Sequence, residues 1–386
     1  MKSNFLADIV NLAVSIQQIP APTFSEEQRA AYVHKRFLNE HLLDVSVDEI
    51  WNVYGRIPGS GDKPPVVVSA HLDTVFPQSI ELKVSYFEDK VFGPGIGDNS
   101  LGVASLFGLI WHLRRRASRR GRDVNQIYSD LSGDIWLVAN VGEEGLGDLV
   151  GMRAVVDRFA TRPAAYVVLE GMALGQIYNR GLGVRRYQIT AKTLGGHSWV
   201  DYGRPSAIHE LAALIDRLAS LPIPDEPRTT LNVGVIHGGT SINTIAPEAT
   251  IELDLRSESA QTLSSLVSQV EMLVSESNLP DVEFSIEVIG DRPIGEISSA
   301  HPLIRLAKHG LEDVGIKPCL NIGSTDANIP LSRGLPAVCL GMTTGGGAHT
   351  VNEFISIEPL EQGMKQLISV VEGIFNASYS ASKDEH

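Results

Sequence analysis

The chain alternates short runs of apolar residues with longer amphipathic stretches. Four short runs rich in valine, isoleucine and leucine are bounded by proline, glycine or acidic residues, and they cover 65–70, 135–141, 165–170 and 337–340. Runs of this length and composition predict buried strands rather than helices. The stretches between them predict helices near the start of the chain, over 25–43, over 103–113, over 301–314 and over 359–375. Strands that alternate with helices are typical of an α/β fold.

A different pattern fills the middle of the chain. Strand-like segments over 184–193, 229–236, 250–257 and 282–289 alternate with helical segments over 206–218 and 261–277. This βαββαβ order is that of a split-βαβ, ferredoxin-like domain. We therefore predict one domain that begins over 1–180, is interrupted by an insert over 181–293, and resumes over 294–386.

Chemically active side chains stand where the predicted strands end. His71 and Asp73 end the first strand, the adjacent carboxylates Glu143 and Glu144 follow the second, and Glu170 closes the third. In an α/β sheet the chemistry gathers at the carboxyl ends of the strands, so these groups are expected to lie close together. Adjacent carboxylates repel one another unless a cation or a shared proton is present.

Two glycine-rich segments add candidates. Asp98 lies in the segment 93–102 ahead of a predicted helix, and His349 follows the last strand through the segment 345–350. Imidazoles and carboxylates without thiolates suit two zinc, cobalt or manganese ions in a hydrolytic site. Two simpler interpretations stay open at this point: His71 as a hydrogen-bonded histidine at a strand end, and Asp98 as a helix N-cap.

Five segments, in this order, resemble the motifs of one enzyme family. They cover 69–75, 97–99, 143–147, 195–198 and 345–350. The chain resembles, over nearly its whole length, the dizinc metallopeptidase family of peptidase T, aminoacylase, glutamate carboxypeptidase, acetylornithine deacetylase and succinyl-diaminopimelate desuccinylase. The resemblance implies a three-layer α/β catalytic domain with a mixed sheet, interrupted by a ferredoxin-like α+β lid or dimerisation domain.

The resemblance also assigns the metal ligands. His71 and Glu170 would bind one metal ion, Glu144 and His349 would bind the other, and Asp98 would bridge them. The ions would be zinc, with cobalt or manganese as alternatives.

Two further residues at this site receive roles by the same resemblance. Glu143 would be the general base, and Asp73 would hold the ring of His71. The family usually has a second acidic residue after the bridging carboxylate, whereas this chain has Asn99, which leaves the bridge intact and removes a charge.

The insert supplies three more candidates. His197 would donate to the oxyanion, in its own subunit or in a partner subunit. Asn243 would bind the carbonyl region of the substrate, and Arg256 would clamp a substrate carboxylate. An alternative for Arg256 is a simple ion pair with Asp254, two residues earlier on the same strand.

Composition narrows the class of protein. The 386 residues carry a net charge of −14, which argues against non-specific binding to nucleic acid. No run reaches the roughly 18 apolar residues of a membrane span. Cys319 and Cys339 stand in apolar runs without metal-site spacing and suggest buried structural thiols, which fits the cytoplasm. The basic stretch 114–122 is interpreted as a solvated loop, and 378–386 as a frayed tail.

The sequence therefore predicts a metal-dependent exopeptidase acting on short peptides, as a homodimer that forms through the insert. An N-acyl-amino-acid deacylase using the same site is the alternative. In the resembled family a glutamate at the position of Glu170 goes more often with carboxypeptidases and acylases, which favours substrates with a free carboxylate. A non-catalytic metal- or peptide-binding protein is the alternative from another class.

Overall fold

The computed structural model describes residues 2–119 and 131–376. Leu182–Ile294 form one compact unit, and the described residues before and after it form the other. The end of the basic stretch, 120–122, and the predicted tail, 378–386, lie outside the described residues.

The larger unit is built from helices and strands in alternation. Its helices are α1 (Lys2–Gln17), α2 (Glu27–Asn39), α3 (Leu101–Arg119), α4 (Val150–Phe159), α7 (Pro302–Glu312), α8 (Asn328–Ser332) and α9 (Leu360–Asn376). Its longer strands are β1 (Leu43–Val47), β2 (Val53–Ile57), β3 (Val66–His71), β6 (Ile135–Asn140), β7 (Ala165–Glu170), β8 (Gln176–Gly181), β16 (Cys319–Gly323) and β17 (Ala337–Gly341). Its short strands are β4 (Ser85–Phe87), β5 (Lys90–Phe92), β15 (Gly295–Glu296), β18 (Gly345–Gly346) and β19 (Phe354–Ser356).

The central sheet of this unit is mixed. Its strand order is β1-β2-β6-β3-β7-β17-β8-β15, with β16 paired to β8. The four inner strands β6, β3, β7 and β17 run parallel to one another, whereas β2 and β8 are antiparallel to their inner neighbours. The carboxyl ends of four parallel strands therefore meet at one edge.

Helices cover both faces of this sheet. Val66 and Val68 of β3 pack into a core shared with α1, α3 and α9, whereas Val67 faces a second core that is shared with α4 and α8. Because successive side chains of a strand point to opposite faces, a strand that is apolar at every position is buried on both sides. The predicted three-layer α/β class is confirmed.

The smaller unit is an α+β sandwich. It comprises β9 (Gly183–Thr193), β10 (Gly196–His197), α5 (Ala207–Ala219), β11 (Thr229–Gly238), β12 (Thr244–Ile245), β13 (Glu248–Ser257), α6 (Ala260–Glu276) and β14 (Val282–Arg292). The four long strands are antiparallel in the order β11-β13-β9-β14. Helices α5 and α6 pack their apolar residues on this sheet. The predicted ferredoxin-like insert is thus confirmed as a fold.

Three local predictions are wrong. The capping box of Ser25 and Gln28 that the sequence suggests for the second helix is absent, because the N-cap position of α2 is Glu26, without a side-chain cap. Cys319 is exposed, whereas Cys339 is buried as expected. The basic stretch is not a loop over its first part, because α3 continues to Arg119. Within that helix Arg114 pairs with Glu40 and Arg116 pairs with Glu372.

Within 2–119 and 131–376, none of the helices combines the length and the apolar composition that crossing a bilayer requires.

Candidate metal centre

The parallel strands bring four of the candidate ligands to one edge of the sheet. His71 is the last residue of β3 and Glu170 the last of β7, which is the neighbour of β3. Glu144 follows β6, and His349 follows β17. The convergence is thus a consequence of strand order, as predicted from the pattern of strand ends.

Asp98 lies between two pairs of these side chains. Its Oδ1 is 3.1 Å from His71 Nε2, and that nitrogen is 3.7 Å from Glu170 Oε2. Its Oδ2 is 3.1 Å from His349 Nε2, and that nitrogen is 3.3 Å from Glu144 Oε1. Each oxygen of one carboxylate therefore faces a separate imidazole–carboxylate pair.

The donor set fits divalent cations. Ligand atoms of His71, Asp98 and Glu144 all lie within 4.8 Å of one another. Within the described residues, the buried atoms His71 Nε2 and Glu144 Oε1 make no hydrogen bond, although each has a neighbour within 3.3 Å. Close atoms that are not aligned for hydrogen bonding are what ligands converging on a shared ion would present. Nitrogen and oxygen donors suit zinc, cobalt or manganese.

Burial and charged neighbours shift the pKa values of these side chains. Burial raises the pKa of Glu170 to about 7 and also raises that of Glu144, in both cases with Asp98 as an added repulsion. The hydrogen bond to Asp98, together with the neighbouring carboxylate of Glu144, raises the pKa of His349 to about 10. Burial disfavours the charged form of His71, yet its acidic neighbours outweigh this and raise its pKa well above the usual value. A bound cation would take the place of these protons.

Asp73 connects the candidate ligands on two strands. His71 Nδ1 lies 3.1 Å from the carbonyl oxygen of Asp73 and 3.4 Å from its carboxylate, so Nδ1 donates and Nε2 is directed to Asp98. The carboxylate of Asp73 also accepts the backbone N–H groups of Glu143 at 3.0 Å and of Glu144 at 2.8 Å. One buried carboxylate thus orients His71 and the Glu143–Glu144 turn together.

Asn99 makes contacts that the sequence did not reveal. Its side chain is fully buried. Its Nδ2 donates to the carbonyl of Leu169 at 2.7 Å, and its Oδ1 accepts from the N–H of Gly171 at 2.9 Å. The amide therefore binds the peptide groups on both sides of Glu170 and holds the end of β7 in place. It also lacks the charge of the acidic residue that is usual at this position in the resembled family.

Two buried glutamates near the site were missed. Glu353 accepts three backbone N–H groups from the segment that carries Asp98. Glu26 accepts the N–H of Gly142 at 3.1 Å, and burial together with the charge of Asp73 raises its pKa to about 7. The partners of Glu353 lie about 255 residues away in sequence, so no local pattern marks it.

The smaller unit brings two of its three candidates together. His197 pairs with Thr244 across β10 and β12, and the N–H of Ser198 donates to the carbonyl of Asn243 at 3.0 Å. His197 Nδ1 accepts from the N–H groups of Trp199 and Val200 at 3.2 and 3.4 Å. The neutral ring therefore carries its proton on Nε2.

Arg256 forms an ion pair within its own sheet. Its Nε donates to Asp254 Oδ1 at 2.7 Å, while Arg186 Nε donates to the other oxygen of Asp254 at 2.9 Å. The ion pair considered from the sequence is thus present. The side chain of Arg256 is still partly exposed.

Comparisons with known proteins agree with this architecture. The sequence profile described as the peptidase dimerisation domain matches residues 182–282, and the profile of peptidase family M28 matches residues 52–177. A tripeptidase from Staphylococcus aureus has a similar structure, with 21% sequence identity, a TM-score of 0.78, and coverage of 96% of this chain and 99% of that chain. An M20 family metallo-carboxypeptidase from Sulfolobus solfataricus is 14% identical, with a TM-score of 0.76 and coverage of 96% and 100%.

The chain has the fold and the inserted domain of the M20 metallopeptidases. Carboxypeptidase G2 of Pseudomonas sp. strain RS-16 is 24% identical over 324 residues, which cover 80% of this chain and 73% of that protein. The resemblance drawn from the five sequence motifs is thereby confirmed. The matched domain and this relative make the chain similar to peptidases of the M20 type.

Proposed function

We propose that the protein is a metal-dependent exopeptidase that cleaves amide bonds of short peptides with two divalent ions. The observation that carries this proposal is the position of Asp98, whose two oxygens face the pair His71–Glu170 and the pair His349–Glu144. A carboxylate shared in this way is suited to bridge two cations.

These five side chains would hold the ions. Both the sequence resemblance and the distances around Asp98 support this assignment. When bound, such ions polarise an amide carbonyl and lower the pKa of water. His71 would present Nε2 because its Nδ1 proton is held by Asp73. The adjacent Glu170 would keep its position because the Asn99 amide fixes both neighbouring peptide groups.

Glu143 would act as the general base. It is buried next to Glu144, and its backbone N–H is held by Asp73 at 3.0 Å. Its carboxylate would accept the proton of the attacking water and return it to the leaving nitrogen. A base that is not a metal ligand keeps its proton affinity for this transfer.

His197 would stabilise the oxyanion that develops on the substrate carbonyl. The two backbone N–H groups at Nδ1 leave Nε2–H as the outward donor of the neutral ring. Asn243, carried by the adjacent strand pair, would bind the same region of the substrate. Arg256 would bind a substrate carboxylate with the donors that Asp254 does not occupy.

The function is tested by an activity screen with metal addition. Dialysed protein is assayed with and without Zn²⁺ or Co²⁺ against dipeptides, tripeptides and N-acyl amino acids. Metal-dependent amine release from the peptides is the expected result. Preferential acid release from the N-acyl amino acids would identify a deacylase instead, and the absence of hydrolysis with bound metal would favour a non-catalytic binding protein.

We also propose a homodimer that forms through the smaller unit. The matched profile describes a dimerisation domain. Within the described residues, β11 has a single neighbour in its sheet, and Ile236 on this edge is 56% exposed. Ile208 of α5 lies beside the end of the same strand, where it is also exposed. An exposed apolar edge strand is a surface that a second copy can cover.

A further inference from the structure

We infer that Glu353 is a positioning residue that holds Asp98 and His349 at the separation that a pair of metal ions requires. This inference rests on the proposed function. It assigns a role to a side chain that belongs neither to the candidate ligands nor to the proposed base. Its support is the way Glu353 connects two segments that are distant in sequence.

The first connection runs to the segment that carries Asp98. Glu353 Oε1 accepts the N–H groups of Gly97 at 2.7 Å and of Asp98 itself at 2.8 Å. Its Oε2 accepts the N–H of Gly95 at 2.9 Å. Three N–H groups of a tight turn therefore converge on one carboxylate that is 0% exposed. The turn has no regular helical path here, since Asp98 and its neighbour have non-helical dihedrals.

The second connection runs to His349, four residues earlier in the chain. The N–H of Glu353 donates to the carbonyl of Thr350 at 3.2 Å, and the N–H of Thr350 donates to Gly347 at 3.0 Å. These turns tie His349 to Glu353 through the backbone. The N–H of Gly93 also donates to the carbonyl of Glu353 at 2.9 Å, which adds a backbone link between the segment of Asp98 and the segment of His349.

His349 needs such an anchor more than the other candidate ligands do. Its side chain is 55% exposed, against 1% for His71. Its backbone φ of 64° lies in the left-handed region, which costs free energy in a residue other than glycine. Surrounding contacts must therefore hold His349 in this conformation, and its backbone turns are hydrogen-bonded to Glu353.

The test compares Glu353→Gln with wild type by calorimetric titration of metal-free protein with Zn²⁺. The glutamine keeps the volume and one oxygen, but its NH₂ group cannot accept hydrogen bonds on the other side. We expect the Kd of one zinc ion to rise by about 10- to 100-fold, which is the usual effect of losing an outer hydrogen-bond partner of a metal site. Glu353→Ala, which loses all three hydrogen bonds, is expected to show a larger rise.

Asp134→Asn is the matched control. Asp134 also accepts a backbone N–H, from Gly59 at 2.8 Å, and it precedes β6 at the opposite edge of the sheet. This variant should lower the thermal midpoint of the metal-free protein without changing either Kd. If wild type and Glu353→Gln bind zinc equally, the inference is overturned and the proposed function stands. The same holds if Asp134→Asn loses as much zinc affinity as Glu353→Gln does. A wild type that binds no zinc would contradict the proposed function and the inference together.

Discussion

At the scale of single residues, the site depends on side chains that hold other side chains. Asp73 contacts His71 and both N–H groups of the Glu143–Glu144 turn. Asn99 fixes the peptide groups on either side of Glu170. Ligand geometry in a metal site is set by such outer contacts as much as by the ligands themselves.

The role of Glu143 is tested by Glu143→Gln. Loss of a general base typically lowers kcat by about 10²- to 10⁴-fold. Because the glutamine has the same shape and Glu143 is not among the expected ligands, the zinc content should stay at the wild-type value. Turnover and bound zinc are measured on the same sample. A variant that loses zinc together with activity would show that Glu143 is a ligand.

The role of His197 is tested by His197→Ala. Removal of an oxyanion donor is expected to lower kcat by about 10²- to 10³-fold with a smaller effect on KM. His209→Ala provides the control, since His209 is another exposed histidine of the same unit. If the two variants have the same kcat, then His197 plays no part in the reaction.

The sequence predicted most of the candidate ligands because strand ends are local features. A valine-rich run followed by His71, or by Glu143 and Glu144, is visible in a window of ten residues. Glu353 and Glu26 were missed because their partners are brought to them only by the folded chain. The cap of α2 was predicted wrongly since Glu26 turns inward to Gly142.

At the scale of elements, close packing of helices on the sheet sets tight limits on side-chain size. Gly363 lies in α9 where a Cβ atom would come within 1.9 Å of the carbonyl oxygen of Met342, just after β17. This backbone atom cannot move without shifting the strand. The glycine is thus required by the approach of α9 to the sheet.

Gly363→Ala is therefore expected to destabilise the larger unit by about 1–3 kcal/mol, the usual cost of overpacking a core. Gly310→Ala in α7 is the control, because its Cβ would meet the flexible side chain of Gln366 at 3.3 Å. Alanine also favours a helix over glycine by about 1 kcal/mol, so this control should be close to neutral. Chemical unfolding of both variants measures the difference, and equal stabilities would contradict the packing argument.

At the scale of the whole molecule, the fold class could be predicted because the order of elements differs between the two units. Apolar strands that alternate with helices indicated an α/β sheet, and the order βαββαβ indicated the ferredoxin-like insert. The order of strands within the sheets was not accessible from these patterns. It depends on contacts between segments far apart in sequence, such as β3 with β7.

The proposed dimer is tested by Ile236→Glu on β11. A charge on this edge should shift the protein from dimer to monomer in analytical ultracentrifugation, because it cannot be buried unpaired between two copies. Val288→Glu is the control, since Val288 is 47% exposed on β14 at the opposite edge of the same sheet. A dimer that persists in Ile236→Glu and dissociates in Val288→Glu would place the interface on the other edge.

The central claim is that the side chains around Asp98 bind a pair of metal ions. The most direct measurement is the zinc content of purified protein after equilibration with Zn²⁺ and removal of the excess, for wild type and Asp98→Ala. The account predicts about two zinc ions per chain in wild type and a clear loss in the variant, because both sites share this carboxylate. Wild-type protein without zinc, or a variant that retains the full content, would contradict it.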